Sequence, residues 1–125
     1  MRQKNEMSMS EQNLIDLDRL EKISGGNMTF VREILEVFLE QTPRELEKLE
    51  DHIEKNELEK VEYLSHKLKS ATDSIGFVEG RKLFKHIEDN AHQKAGAEIP
   101  ALFEEVKETC SSAFSQVEKK LESGL

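Results

Sequence analysis

The chain has 125 residues, a formal net charge of −8, charged side chains at 35% of its positions, one cysteine and no tryptophan. This length accommodates one domain, the acidic balance argues against nucleic acid as the main partner, and a single cysteine excludes an internal disulfide, which fits a reducing compartment. Its apolar runs fall short of the roughly 18 residues that cross a membrane and its first residues are unlike a signal peptide, so we expect a cytoplasmic protein without membrane contacts.

The beginning of the chain changes from a polar segment to a short amphipathic segment. Residues 1–12 lack an apolar stripe, which predicts a flexible N-terminal arm. Residues 13–125 form the predicted helical domain. From Leu14 the apolar residues recur at helical spacing as far as Ile23, and the glycines of "SGGN" that follow suit a helix C-terminus. We therefore predict a short helix from Leu14 to Ile23.

A longer apolar stripe begins near Asn27 and continues to a break near Asn56. Pro43 lies inside this stripe and allows two interpretations. Thr42 caps a new helix that has Pro43 at its first position, or Pro43 kinks one helix of about 28 residues. We favour the single kinked helix.

Three more amphipathic segments complete the chain. Their apolar residues recur at helical spacing from about residue 57 to 75, from about 78 to 94, and from 99 to 121, and "AGAEIP" connects the last two. Because short connectors place consecutive helices antiparallel, we predict an all-α fold, an antiparallel up-down four-helix bundle with a short N-terminal capping helix. We expect a monomer, because the apolar stripes are used up within one bundle.

The third predicted helix turns His66 away from the core. At about 100° per residue, its five apolar residues fall within roughly 40° of the direction opposite His66. They are Val61, Leu64, Leu68, Ala71 and Ile75. Lys69, Ser70 and Asp73 share the outward face with His66, and Lys67 lies on its flank. An exposed imidazole is a competent nucleophile at neutral pH, and a neighbouring lysine suits an anion carried on the ring.

The segments "SHKLKSATDSIG" and "GRKLFKHIEDNA" carry a resemblance to a known family. They resemble the signature of histidine-containing phosphotransfer (HPt) domains, H-x-[LIF]-K-G, then small residues, a Leu/Ile-Gly pair and a helix ending in an acidic "LE" or "IE". Upstream, "LDRLEKISGGNMTFVREILEVFLEQTPRELEKLE" is similar to the family's short helix, glycine turn and long helix, so the likeness covers about residues 14–94.

The resemblance implies roles for individual residues. His66 is then the phosphorylated histidine, usually modified on Nε2 in this family, Lys69 lies near the phosphoryl oxygens, and Gly76 closes the helix. The family's glycine four residues after the histidine is Ser70 here. We expect the serine to be tolerated, with an altered choice of partner.

The resemblance also implies a phosphoryl carrier rather than a stand-alone enzyme. The chain would reversibly accept a phosphoryl group from an aspartate of a response-regulator receiver domain and pass it to another, in a phosphorelay with a hybrid sensor histidine kinase. It would need no cofactor, because the receiver supplies Mg²⁺. Apolar residues of the first two helices would form the docking patch.

Basic residues near His66 would assist the transfer. Lys67 is a weaker candidate than Lys69 for offsetting phosphoryl charge. Arg81, Lys82 and Lys85 lie off the apolar stripe of the fourth helix, where they either extend a basic patch or form an ordinary solvated face.

Two other functions stay open: a docking module of the same fold that never carries phosphate, and a plain helical bundle used in assembly.

Other reactive side chains have simpler interpretations. The remaining histidines are His52, His86 and His92. None of them pairs with another histidine at helical spacing, so we expect no metal site. Cys110 lies on the apolar stripe of the last helix and is expected to be a buried structural thiol. Glu88 and Asp89 match the family's acidic helix end and are expected to be solvated.

Overall fold

The computed structural model describes residues 13–124, and all regular secondary structure in this part of the chain is helical, without strands, which confirms the all-α prediction. The helices are α1 (Asp18–Ile23), α2 (Met28–Glu54), α3 (Leu58–Ser74), α4 (Val78–His92) and α5 (Ile99–Glu122), with one 3₁₀ turn at Gly96–Glu98. The predicted flexible arm, residues 1–12, lies outside the described residues. No described helix is both long enough and apolar enough to span a membrane.

Helix α2 is one continuous helix of 27 residues, and Pro43 lies inside it. It begins after Asn27, whose side-chain oxygen accepts a hydrogen bond from the Phe30 N–H and so satisfies one of the free donors of the first turn. Thr42 is buried within the helix and does not cap a new one. The interpretation of a single helix across Pro43 is therefore confirmed.

The four long helices pack around one core. Helix α2 contacts α3 and α5, and α4 also contacts α3 and α5, so the helices form a closed ring. The largest side chains that are fully buried come from these four helices and from the segments that precede or connect them: Ile15, Leu35, Leu49, Leu68, Ile75, Phe77, Phe84, Ile87 and Ile99. Burying one such side chain contributes about 1.5–3 kcal/mol, so this core is the main source of stability. Cys110 is buried in it, and burial raises the pKa of its thiol to about 12.

The chain before α1 corrects one prediction. The expected helix from Leu14 begins only at Asp18, and residues 13–17 are a non-helical segment that we call the N-terminal strap. The reason is tertiary: the Leu14 N–H donates to the Gln116 side chain at 2.8 Å, and the Asp16 N–H donates to the Gly76 carbonyl at 3.2 Å. These contacts satisfy the backbone outside a helix and bury the apolar side chains of the strap.

Candidate functional site

His66 lies in the middle of α3 on the outer surface of the bundle. Its side chain is 60% exposed, whereas Leu64 and Leu68 on the opposite side of the helix are buried. Ala71 is only half-buried, unlike the other four apolar positions of the stripe. The imidazole is therefore available to a partner molecule, while its helix is anchored through the residues behind it.

Helices α3 and α4 run antiparallel in a fixed register. Three cross-helix pairs define it: Glu62 with His92, His66 with Glu88, and Asp73 with Arg81. Each step forward along α3 is matched by an equal step back along α4. This register places a specific α4 side chain opposite each outward residue of α3.

Glu88 is the residue that the register brings to His66. Its Oε2 lies 2.7 Å from His66 Nδ1, and its Oε1 accepts a hydrogen bond from Lys69 Nζ at 2.8 Å. The Glu88 side chain is only 16% exposed. The expectation that Glu88 is solvated is therefore wrong, because packing against α3 covers it and both carboxylate oxygens are engaged.

The charge of Glu88 determines which nitrogen of the neutral His66 ring carries the proton. Burial acts to raise the pKa of Glu88, but the hydrogen bonds from Lys69 and His66 outweigh it, and the pKa lies below its ordinary value. Glu88 is thus ionised at neutral pH and can only accept hydrogen bonds, so Nδ1 of His66 must be the donor. In the neutral ring, Nε2 then carries the free electron pair.

Lys67 is engaged on the other side of α3. Its Nζ lies 3.1 Å from Oε1 of Glu45 on α2, and the Glu45 side chain is only 14% exposed. Lys67 therefore neutralises a nearly covered carboxylate. Lys69, in contrast, is held beside the imidazole because it and His66 both bind Glu88.

The remaining predicted residues of the site lie farther along α3. Asp73 pairs with two arginines, Arg19 Nη1 at 3.1 Å and Arg81 Nε at 3.6 Å. Ser70 is exposed on the outward face. Gly76 follows His66 by ten residues, about 15 Å along a helix, and contacts the N-terminal strap rather than the imidazole.

The basic residues of α4 do not form an unbroken positive patch. Lys85 lies 3.4 Å from Asp89 on its own helix, and Arg81 faces Asp73. Lys82 is exposed. Most of the positive charge that the sequence places here is therefore matched locally by carboxylates.

A shallow apolar groove runs between α2 and α3 beside this site. It has a volume of about 150 Å³. Its apolar lining comes from Ile34, Val37, Phe38, Leu68 and Ala71. Val37 is 49% exposed, and Phe30, about two helical turns earlier on α2, is 40% exposed. An exposed apolar strip next to a reactive side chain is typical of a protein-binding surface.

Sequence reasoning missed the charged partners of this site. Glu45 and Arg19 come from helices whose pairing with α3 no local pattern reveals, whereas Glu88 was noticed but not connected to His66. Among residues 13–124, no cluster of His, Cys, Asp or Glu is arranged to hold a metal ion.

Comparison with known proteins gives two matches. A family profile described as the Hpt domain matches residues 33–119. The crystal structure of the HPT domain from a sensor hybrid histidine kinase of Shewanella superposes with a TM-score of 0.78, covering 93% of this chain and 97% of the other, at 17% sequence identity. Among curated proteins, no sequence matches the chain.

Proposed function

Because the chain belongs to the Hpt domain family, we propose that it is a histidine phosphotransfer protein of a multistep two-component phosphorelay, with His66 as the phosphoacceptor. The observation that carries this proposal is the arrangement around His66. The ring is exposed, its Nδ1 is engaged by Glu88, and Lys69 is held beside it. A group that must exchange phosphate with another protein needs this combination of access and fixed orientation.

The reaction is a reversible phosphoryl transfer between nitrogen and oxygen. Nε2 of His66 attacks the phosphorus of an aspartyl phosphate on a receiver domain, the P–O bond breaks, and the aspartate leaves as a carboxylate. The receiver supplies Mg²⁺, so the transfer requires no cofactor from the chain itself. Such transfers depend mainly on positioning and on neutralising the phosphoryl charge.

Lys69 is the residue of this chain that provides the neutralising charge. Its Nζ is 2.8 Å from Glu88 Oε1, and its side chain is 23% exposed, so the ammonium group is held on the face that carries His66. Lys67 is a weaker candidate because it is paired with Glu45. The chain therefore acts as a phosphoryl carrier, in which Lys69 stabilises the phosphoryl charge, rather than as a stand-alone enzyme.

The apolar groove between α2 and α3, extended by Phe30 and Val37, is the proposed docking surface for receiver domains. Its position beside Lys67, the residue that follows His66, supports this choice, because a partner bound there also reaches His66. The polar residues that would contact the rim of the partner are Lys67, Ser70, Asp73, Arg81, Lys82 and Lys85. A hybrid sensor histidine kinase is the proposed source of the phosphoryl group.

The finer architecture belongs to the same proposal. Residues 13–125 would form one domain in which the four long helices run up and down as an antiparallel bundle and α1 caps one end. The closed ring of helix contacts and the antiparallel α3–α4 pairs support it. We further propose that the protein is monomeric and cytoplasmic.

The test is incubation with a phosphorylated receiver domain and Mg²⁺, followed by measurement of acid-labile, alkali-stable phosphate on the chain. Wild type should acquire label, and His66→Gln should lose it. His92→Gln is the matched control, because His92 is also exposed and its Nδ1 lies 2.8 Å from a glutamate, Glu62. Receivers that bind wild type without labelling it would instead favour a docking module.

A further inference from the structure

We propose that the Ser70 hydroxyl donates a hydrogen bond to the phosphoryl group on Nε2 of His66 and thereby helps this chain to retain phosphate. The inference rests on the proposed role of His66 as the phosphoacceptor, and it adds a further residue of α3 to that site. Three features support it: the direction in which Nε2 points, the position of Ser70 on α3, and a hydroxyl that no other described residue engages.

The ring of His66 turns Nε2 away from α4. Glu88, on α4, lies 2.7 Å from Nδ1. The two nitrogens lie on different sides of the imidazole, so a ring whose Nδ1 faces α4 directs Nε2 towards solvent and towards the side of α3 that faces α2. The side chain is 60% exposed, which leaves room there for a phosphoryl group. A phosphoryl group on Nε2 would therefore stand on the α2 side of the outward face.

The ion pairs of α3 show which of its residues lie on that side. Lys67 lies about 100° around the helix from the histidine and pairs with Glu45 of α2. Lys69 lies about 60° in the opposite direction and pairs with Glu88 of α4. Ser70 comes four residues after the histidine, about 40° around the helix in the same direction as Lys67. Ser70 therefore shares the α2 side with the expected phosphoryl group.

Ser70 is also close enough to contact a group on the ring. Residues four apart on a helix have Cβ atoms about 5–6 Å apart, and each side chain leans towards the N-terminus of its helix. This lean aims the hydroxyl of Ser70 back towards the turn that carries His66. Ser70 is exposed, so its O–H can rotate to suit an acceptor. The oxygens of a phosphoryl group extend beyond Nε2 and are strong acceptors, which shortens the remaining gap.

The hydroxyl of Ser70 is unengaged, unlike the nearby hydroxyls of α3. Thr72 and Ser74 donate to main-chain carbonyls of their own helix, at 2.8 and 2.7 Å. Within residues 13–124 the Ser70 hydroxyl makes no hydrogen bond, so a bond to a phosphoryl oxygen breaks none inside the protein. The phosphoryl group would thus meet a charged donor, Lys69, from the α4 side and a neutral donor, Ser70, from the α2 side.

Such a hydrogen bond changes the equilibrium of phosphoryl transfer. When phosphate moves to a receiver, a carboxylate oxygen of the aspartate bonds to phosphorus, the N–P bond breaks, and its electron pair returns to Nε2. The bond from Ser70 exists only while the phosphoryl group is on His66, so it stabilises that side of the reaction alone. The net worth of an ordinary hydrogen bond corresponds to a factor of about 3–10 in an equilibrium constant. Ser70 therefore increases the share of phosphate that stays on the chain.

The first experiment measures the equilibrium constant for exchange of phosphate between the chain and a receiver domain with Mg²⁺. One mixture starts from labelled chain and another from labelled receiver, and the ratio on which both converge is compared among variants. We expect Ser70→Ala to shift this ratio towards the receiver about 3- to 10-fold, and Ser70→Thr, which keeps the hydroxyl, to stay near wild type. Ser74→Ala is the matched control and should leave the ratio unchanged, because it removes another exposed hydroxyl of α3 about two turns beyond His66.

The equilibrium constant separates this role from an effect on docking. It depends only on the free energies of the separate proteins with and without phosphate. A substitution that merely alters contact with the receiver changes the forward and reverse rates by the same factor and leaves the ratio as it was. An unchanged ratio in Ser70→Ala, with or without altered rates, would overturn the inference, while the exchange itself would still support the proposed function. Equal shifts in Ser70→Ala and Ser74→Ala would also overturn it.

A second measurement needs no receiver. The chain is phosphorylated with phosphoramidate, and urea unfolding is compared between the labelled and unlabelled forms; His66→Gln treated in the same way corrects for label on other histidines. Because the hydrogen bond forms only in the folded chain, phosphorylation should favour the folded state about 3- to 10-fold more in wild type than in Ser70→Ala. Equal effects in the two proteins would overturn the inference. If the effects differ as expected but no receiver exchanges phosphate, the proposed function fails and the contact with Ser70 stands.

Discussion

Replacing Gly76 by alanine tests how the N-terminal strap is attached to the end of the helix that carries His66. Gly76 has φ of +69°, and a Cβ atom built on it would overlap the carbonyl oxygen of Asp16 in the strap. Gly25 offers a matched comparison. It has nearly the same φ, +66°, but a Cβ atom there would meet nothing within 4 Å.

Both substitutions introduce backbone strain, and Gly76→Ala also displaces the N-terminal strap. Placing alanine in the left-handed region costs about 1–2 kcal/mol at either position. At Gly76 the strap must also move, which breaks the hydrogen bond from the Asp16 N–H to the Gly76 carbonyl, worth about 0.5–1.5 kcal/mol. Displacement of the strap exposes part of Leu14 and Ile15, and the equivalent of one such side chain is worth about 1.5–3 kcal/mol.

We therefore expect Gly76→Ala to lower the free energy of unfolding by about 3–6 kcal/mol and Gly25→Ala by about 1–2 kcal/mol. Urea denaturation followed by circular dichroism measures both, with the linear extrapolation checked for equal slopes. Equal losses for the two variants would refute the reasoning, because they would show that the contact between Gly76 and the strap contributes nothing beyond backbone strain.

Three further predictions concern buried or covered groups. Ser65 is fully buried and its hydroxyl has no hydrogen-bond partner among the described residues, so Ser65→Ala should raise the free energy of unfolding by about 1 kcal/mol in urea titrations; a loss would contradict the unpaired assignment. Cys110 has a thiol pKa of about 12, so a thiol reagent at pH 8 should label it only as fast as the protein unfolds; rapid labelling of the native state would disprove its burial. The pKa of Glu88 is lowered in the folded state, so its contribution should be present above pH 4.5 and lost as the pH falls through the folded pKa. Wild type and Glu88→Gln should therefore converge in stability in acid, and a difference that grows there would contradict this sign.

The helices were predictable because their local signals agree. The apolar stripe of α2 continues through Pro43, and the structure has one helix from Met28 to Glu54. A proline is tolerated there because the stripe on both sides is buried in the same core, which outweighs one missing hydrogen bond. The positive φ of Gly25 and Gly26 likewise follows from their place after α1.

The N-terminal strap was not predictable from its own sequence. Leu14, Leu17 and Leu20 have helical spacing, yet Ile15 is also buried, at 1% exposure, and adjacent residues such as Leu14 and Ile15 do not share a narrow helical face. Their burial depends on Gln116 and Gly76, which lie far away in the chain. Local periodicity cannot reveal contacts of this kind.

The pairing of His66 with Glu88 was partly predictable, less so than the helices and more so than the N-terminal strap. In an antiparallel helix pair, residues equally distant from the turn face each other, and residue 77 lies midway between His66 and Glu88 and midway between Glu62 and His92. The position of the turn therefore determines which α4 side chain reaches the imidazole. How closely α4 approaches α3 depends on packing, which the register alone does not determine. At the turn between the two helices Phe77 lies against Gly80, and a Cβ atom on Gly80 would come within 2.6 Å of the Phe77 ring. The environment of His66 is thus encoded in the turn and in the small residue beside it as much as in the neighbours of the histidine.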